Sequence, residues 1–425
     1  MTKQTVKDRV DERVYITRDT CRLCGSRDLT RVWSFGPTPL ANSYLTPAEV
    51  GGNEPFAPLD VYYCGGCCLL QLRDVVNPDA LFKHYFYVSS TSPSFVKHFE
   101  DYARILVKRF KLSGNDLVVD VGSNDGVLLK PLQAARVRIL GIDPAENVVA
   151  EANAAGIHTL PEYFTPEVAR RVRAEHGPAK VITANNVFAH TDGIDTFVDA
   201  VKELLVPDGV YVFEAQYLGD LIANNLFDIV YHEHVNYYHV TPLVSYFESR
   251  DMEVFDVERV PVHGGSIRVY VQGNGGKQKK TEALAEVLRA EEEQGLNTIE
   301  PYRQFAKRIE ENKKKLRQII DDIKAQGKRI AGFGAPAKAT TLMYAFGITG
   351  DDIDFIVDDA PLKQGRVMPG THVPIVPAER LYEDKVDYCL ILAWNFAAPI
   401  MAAHADFVKK GGRFIIPIPE PRVIK

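Results

Sequence analysis

The stretch Leu117-Val118-Val119-Asp120-Val121-Gly122-Ser123-Asn124-Asp125-Gly126 decides the fold. An apolar run that breaks at glycine and passes into a helical pattern reads as strand, turn and helix. Such a turn exposes backbone N–H groups at the positive end of a helix, a cradle for a polar ligand. Working outward, the alternation continues. Residues 137–142 read as a strand, 147–155 as a helix, 180–184 as a strand, 193–205 as a helix and 209–214 as a strand. Strands separated by helices form βαβ units, which predict a parallel sheet with its ligand at the carboxyl ends of the strands.

The same grammar returns near the C-terminus. Arg329-Ile330-Ala331 leads into Gly332-Phe333-Gly334-Ala335-Pro336-Ala337, followed by a helix near 338–346 and strands at 354–357, 386–393 and 413–416. Between the two series lie an irregular segment rich in His and Tyr (217–250), a strand at 266–271 and a charged helical stretch over 281–326. That stretch has one apolar stripe and is expected to bend near Gly295 or Pro301. The expected class is α/β, with three parts: a zinc-binding module over 14–80, a nucleotide-binding fold over 81–275, and a connector helix with a second Rossmann-like domain over 276–425. Two cradles predict two nucleotide-like ligands.

Composition narrows the function. With 425 residues, 46% hydrophobic and 25% charged, the chain has the makeup of an ordinary globular protein. No run approaches the roughly 18 apolar residues of a membrane span. A net charge of −6 and basic clusters without stacking aromatics argue against nucleic acid. The charged N-terminus lacks the apolar core of a secretory signal, so a cytoplasmic location is expected. Five of six cysteines fall between Cys21 and Cys68. Cys21-x-x-Cys24 and Cys64-x-x-Cys67 form a pair of knuckles suited to one tetrahedral structural zinc, with Cys68 as an alternative to Cys67. Disulfides are the competing reading and fit a reducing cytosol poorly.

The first cradle is expected to hold Asp120, Gly122, Asn124 and Gly126 against a cofactor. Asp143, followed by Pro144, lies about 20 residues on, where a carboxylate accepts both hydroxyls of a ribose. Asn185-Asn186-Val187-Phe188-Ala189-His190 ends the next strand. Leu205-Val206-Pro207-Asp208-Gly209 precedes the one after. This layout resembles the class I S-adenosylmethionine-dependent methyltransferases rather than the three-glycine NAD fold. The second cradle, from Gly334 through Ala337 to Lys338, is expected to hold a nucleotide diphosphate. Asp358 would contact ribose or base, and Trp394 and Asn395 would line the same pocket.

Between the cradles stands Tyr231-His232-Glu233-His234. With the zinc knuckles and both folds it resembles the sugar C-methyltransferases of deoxysugar biosynthesis, which act on nucleotide-linked 4-keto-6-deoxyhexoses. The resemblance implies His234 as catalytic base, Glu233 and Tyr231 beside it, and His190 after the fourth strand. It also implies a tyrosine in the aromatic patch, Tyr85 or its neighbour Tyr87, and His263 in His263-Gly264-Gly265-Ser266 near the substrate. His232 lies outside that pattern and is expected to be structural. The implied ligands are S-adenosylmethionine, a structural zinc and a dTDP-, GDP- or CDP-linked sugar, on a monomer or small homo-oligomer. Three rivals are an O- or N-methyltransferase, an NAD-dependent sugar epimerase or dehydrogenase, and a non-enzymatic zinc-ribbon scaffold. The epimerase would need a Tyr-x-x-x-Lys couple that neither cradle has.

Overall fold

The computed structural model describes residues 14–83, 88–91 and 93–424. At its centre a seven-stranded sheet is built from β1 (Leu117–Val121), β2 (Arg138–Ile142), β3 (Thr159–Leu160), β4 (Ala179–Asn185), β5 (Leu205–Gln216), β6 (Met252–Val260) and β7 (Ser266–Gly273). Their order is β6-β7-β5-β4-β1-β2-β3. The first five pair in parallel, and β7 inserts antiparallel to β5. Helices cover both faces, so a strand such as β1 is apolar on each: Leu117, Val119 and Val121 face one core, and Val118 the other. The order in which strands are added reverses between β1 and β4, and the cofactor loops sit at this switch point.

The C-terminal sheet contains β8 (Ile330–Phe333), β9 (Ile356–Val357), β10 (Ile375–Val376), β11 (Tyr388–Ile391), β12 (Arg413–Ile416) and β13 (Arg422–Ile424). Its order is β10-β9-β8-β11-β12-β13, parallel except for the last strand. The expected bent helix is two helices, Glu282–Glu293 and Glu300–Ala325, with Gly295 and the helix-starting Pro301 at the break. Tyr302, Phe305, Ile309, Leu316, Ile320 and Ile323 recur at helical spacing along the second and are buried. They share one core with Leu59, Val61 and Leu70 of the N-terminal module and Leu342 and Ile356 of the C-terminal domain.

The N-terminal module is an antiparallel sheet of Leu29–Pro39, Phe56–Cys64 and Leu70–Leu72. A fourth strand joins its edge from far along the chain: Asn236–Tyr237, with Asn236 opposite Gln71 and Tyr237 opposite Leu70. The segment carrying Tyr231 to His234 is thereby tied to the cysteine-bearing module. Sequence reading missed these strands and β6, because their alternation is short and interrupted. Among the described residues no helix is long and apolar enough to cross a membrane.

Cys21, Cys24, Cys64 and Cys67 place their Sγ atoms within 4.8 Å of one another. The pairs Cys21–Cys67 and Cys24–Cys64 stand 3.5 and 3.6 Å apart. Four thiolates around a zinc at Zn–S of about 2.3 Å lie about 3.8 Å apart, so the set fits the ion. Cys68 turns the other way, its Sγ 3.2 Å from the Asn297 carbonyl oxygen and 3.3 Å from the Tyr63 hydroxyl. Cys67 is therefore the fourth member of the cluster. Cys24→Ser should lose the zinc and lower the melting temperature, whereas Cys68→Ser should keep one zinc per chain. Metal analysis and thermal melts check both. Full zinc in Cys24→Ser would contradict the site.

Candidate active site

At the end of β1 the backbone turns through Gly122 at φ +67°. A Cβ on Gly122 would sit 2.2 Å from Val187 Cγ2, so only glycine lets this turn close on the β4 loop. Asp143 at the end of β2 fixes the turn by accepting from the N–H of Asn124 (2.9 Å) and of Ala145 (2.8 Å). A carboxylate has about four acceptor positions, so it keeps capacity for ribose hydroxyls. Asp120 is buried, accepting from Thr183 Oγ1 (2.6 Å) and Asn185 Nδ2 (3.3 Å). Burial pushes its carboxyl up to about 7. Ser123 Oγ and the Oδ1 atoms of Asn185 and Asn186 are buried without a protein partner. Orphaned polar atoms around one hollow mark where a polar ligand completes the structure. The residues fit S-adenosylmethionine. Gly126, at φ +79°, ends the loop on Ile157.

The hollow is one end of a single cavity of about 1520 Å³. A pocket for one small ligand measures about 300–1,000 Å³, so this volume accommodates two. Asp120, Gly122, Asn124, Asp143, Pro144, Asn185 and Asn186 line it, and at the other end so do Ala337, Lys338, Trp394, Asn395 and His263. His190, Tyr231 and His234 line it as well.

The second cradle differs from the sequence reading. Gly334 and Asp358 do not line the cavity. The Gly334 N–H donates to the Val357 carbonyl (2.7 Å), and Asp358 accepts from the N–H of Ala335 (2.6 Å) and Ala360 (2.8 Å). The Gly334 and Ala335 amides are therefore consumed within the turn. A Cβ on Gly334 would lie 2.5 Å from the Ala393 Cβ, which explains the glycine as close packing. Beyond the turn, the cavity is lined by Ala337, the first residue of the helix Ala337–Phe346, and by Lys338. The Lys338 Nζ donates to Asn395 Oδ1 (2.6 Å) and stands 3.8 Å over the Trp394 ring, while Trp394 Nε1 donates to Asp228 (2.6 Å). Burial pushes the Lys338 amine down to about 8, with Asp228 pulling it back up.

His234 is buried, and its Nδ1 lies 2.6 Å from the Ile229 carbonyl oxygen. A carbonyl oxygen only accepts, so Nδ1 carries the proton and Nε2 keeps its lone pair. Burial pushes this imidazole down to about 4, so it is neutral at physiological pH. The Tyr231 ring lies 4.2 Å and the His190 ring 4.9 Å from the His234 ring, centre to centre. Burial, reinforced by the charge of Glu233, holds the Tyr231 phenol well above its ordinary range, so it remains an O–H donor. Burial likewise keeps His190 neutral. Glu233 is buried outside the lining, and Asn42 donates to it from the zinc-binding module (2.5 Å). His232 faces Ala57, its Nε2 3.1 Å from that carbonyl oxygen, in keeping with a structural role. Tyr85 and Tyr87 lie outside the described residues.

His98 and Arg268 are among the lining residues that sequence reading missed. Both meet the buried Glu214, His98 at 2.9 Å and Arg268 Nη2 at 2.6 Å. Burial alone would raise Glu214, yet these two partners hold it below the usual carboxylate range. His98 lies on the helix Pro93–Phe110, ahead of the first sheet strand, so no local motif could have marked it.

The chain matches known families along most of its length. Residues 21–82 match a family of zinc binding domains, 95–257 a methyltransferase domain, and 261–419 the C-methyltransferase C-terminal domain. The C-methyltransferase NovU of Streptomyces niveus is 41% identical over 406 residues, covering 96% of this chain and 97% of that protein. Among solved structures, a SAM-dependent methyltransferase from Anabaena variabilis is 16% identical at a TM-score of 0.34, covering 40% of this chain and 83% of its own. The magnesium protoporphyrin IX methyltransferase of Synechocystis is 15% identical at 0.32, covering 41% and 78%. Identity of 41% across nearly the whole of both chains carries the assignment: this protein belongs to the S-adenosylmethionine-dependent C-methyltransferases, with a zinc-binding domain at its N-terminus.

Proposed function

We propose that the protein methylates C3 of a nucleotide-linked 4-keto-deoxyhexose, with His234 as the base. One observation carries the reading. A neutral imidazole with its lone pair on Nε2 stands among Tyr231 and His190 in a cavity that runs from the cofactor loops to Lys338.

A C–H bond beside a ketone is acidic because the electrons left behind spread onto the carbonyl oxygen. His234 Nε2 takes the C3 proton and holds it as N–H while Nδ1 stays on Ile229, giving an imidazolium that the Ile229 carbonyl stabilises. The Tyr231 hydroxyl donates to the developing enolate oxygen, with His190 as a second candidate. A preorganised donor of this kind contributes on the order of 3 kcal/mol. Glu233 orients the cluster. S-adenosylmethionine, when bound, supplies a methyl group made electrophilic by its sulfonium. Lys338, with Trp394 and Asn395, engages the diphosphate of a dTDP-, GDP- or CDP-linked sugar. His263 closes the cavity beside them. The aromatic-patch tyrosine, Tyr85, is proposed as a further enolate donor.

Two outcomes follow. His234→Asn should abolish turnover, by about 10²–10⁴-fold, along with the washing of solvent deuterium into C3, while titration shows cofactor binding retained. Near-normal turnover would remove His234 as the base. The second concerns pH. A base acts in its deprotonated form, and burial lowers His234 to about 4, so the active form persists as pH falls from 8 through 6. The acid limb of kcat/KM should therefore lie below about pH 6. Half-loss near 6.5, the value of a solvated imidazole, would contradict this environment.

A further inference from the structure

We infer that Asn42, on the zinc-binding domain, is a positioning residue for methyl transfer that acts by holding Glu233. The inference rests on the role proposed above for Glu233. Asn42 Nδ2 lies 2.5 Å from Glu233 Oε1, across 191 residues of sequence. A carboxylate has no proton to give, so the contact fixes which end of the amide faces it: the nitrogen donates, and the Asn42 carbonyl oxygen is left for the cavity that this residue lines. Glu233 itself is 2% exposed and does not line the cavity. Asn42 is therefore a polar group that connects this buried carboxylate to the cavity it lines.

Its backbone is held for that task. The Ala41 carbonyl accepts from Thr340 Oγ1 (3.0 Å), and the Tyr44 hydroxyl donates to the Ala335 carbonyl (2.6 Å), so the C-terminal domain grips the segment on both sides of Asn42. Leu40, Ala41 and Tyr44 are buried. From the opposite side, Asn236–Tyr237 extends the sheet of the zinc-binding domain, which sets the register of Glu233 three residues earlier. An amide fixed at both flanks faces a carboxylate fixed by a strand. A buried carboxylate deprived of one of its partners rotates toward another or takes up a proton, and both disturb the neighbouring His234.

The test is a mutant cycle on the full-length zinc-loaded protein, with zinc content, melting temperature and cofactor binding confirming the fold of each variant. Asn42→Asp keeps the size of the side chain and removes the donor; Asn42→Ala removes both. Each should lower kcat by about 10-fold or more with KM within about twofold, because a hydrogen bond to a charged group is lost at the reacting centre. In a Glu233→Ala background, which deletes the acceptor, Asn42→Ala should cost nothing further. Full turnover in Asn42→Asp, or losses that multiply in the double variant, would overturn the inference while leaving the role of Glu233 intact. Full turnover in Glu233→Ala alone would instead overturn the reading of Glu233, and the inference with it.

Discussion

The segment from Val230 to Val235 has almost no regular structure of its own, yet it is buried, so its backbone and side-chain polar groups must be met by neighbours. All three domains meet them. The Val235 N–H donates to Ala189 of the methyltransferase fold, and the Val235 carbonyl accepts from Leu72 of the zinc-binding domain. The Val230 carbonyl accepts from Thr341 Oγ1 of the C-terminal domain (2.9 Å). Asn42 and Ala57 of the zinc-binding domain bind Glu233 and His232. The bond from His234 Nδ1 to Ile229 belongs to the same set. Pulling any domain away would expose or strand part of this turn. Its geometry therefore reports on the assembly of the whole chain.

That constraint explains why a methyltransferase fold carries two extra domains. The central sheet places cofactor loops at its switch point, as its topology dictates. It does not by itself build a wall opposite them. The zinc-binding domain supplies Asn42, and the C-terminal domain supplies Lys338 and Trp394. The cluster of four cysteines sits in the zinc-binding domain, outside the lining of the cavity, so a zinc held there would serve the fold and not the chemistry.

Much of this was legible in the sequence, and the reason is locality. The glycine turn at 122–126, Asp143 and the cysteine pairs are short motifs whose spacing sets their geometry. Tyr231 to His234 stood out because four chemically active side chains rarely crowd one loop. Asn42, His98 and Arg268 escaped notice because tertiary structure alone brings them to the cavity, from an N-terminal loop, a helix and an antiparallel strand. Gly334 and Asp358 show the opposite failure. Their spacing fits a dinucleotide turn, but Asp358 binds the amide of Ala335 and Gly334 packs on Ala393. The pattern was fold grammar, and of this stretch Ala337 and Lys338, beyond the glycine turn, line the cavity.

The proposed proton abstraction depends most on the protonation of His234, a neutral ring with hydrogen on Nδ1 and a lone pair on Nε2. Nitrogen-15 NMR of the histidine-labelled protein reads this directly, with the signal assigned by its loss in His234→Asn. At neutral pH the ring nitrogens of His234 should show the neutral Nδ1–H tautomer, and this pattern should persist as pH is lowered through about 6. An imidazolium, or the Nε2–H tautomer, at neutral pH would contradict the claim that this residue waits as the base.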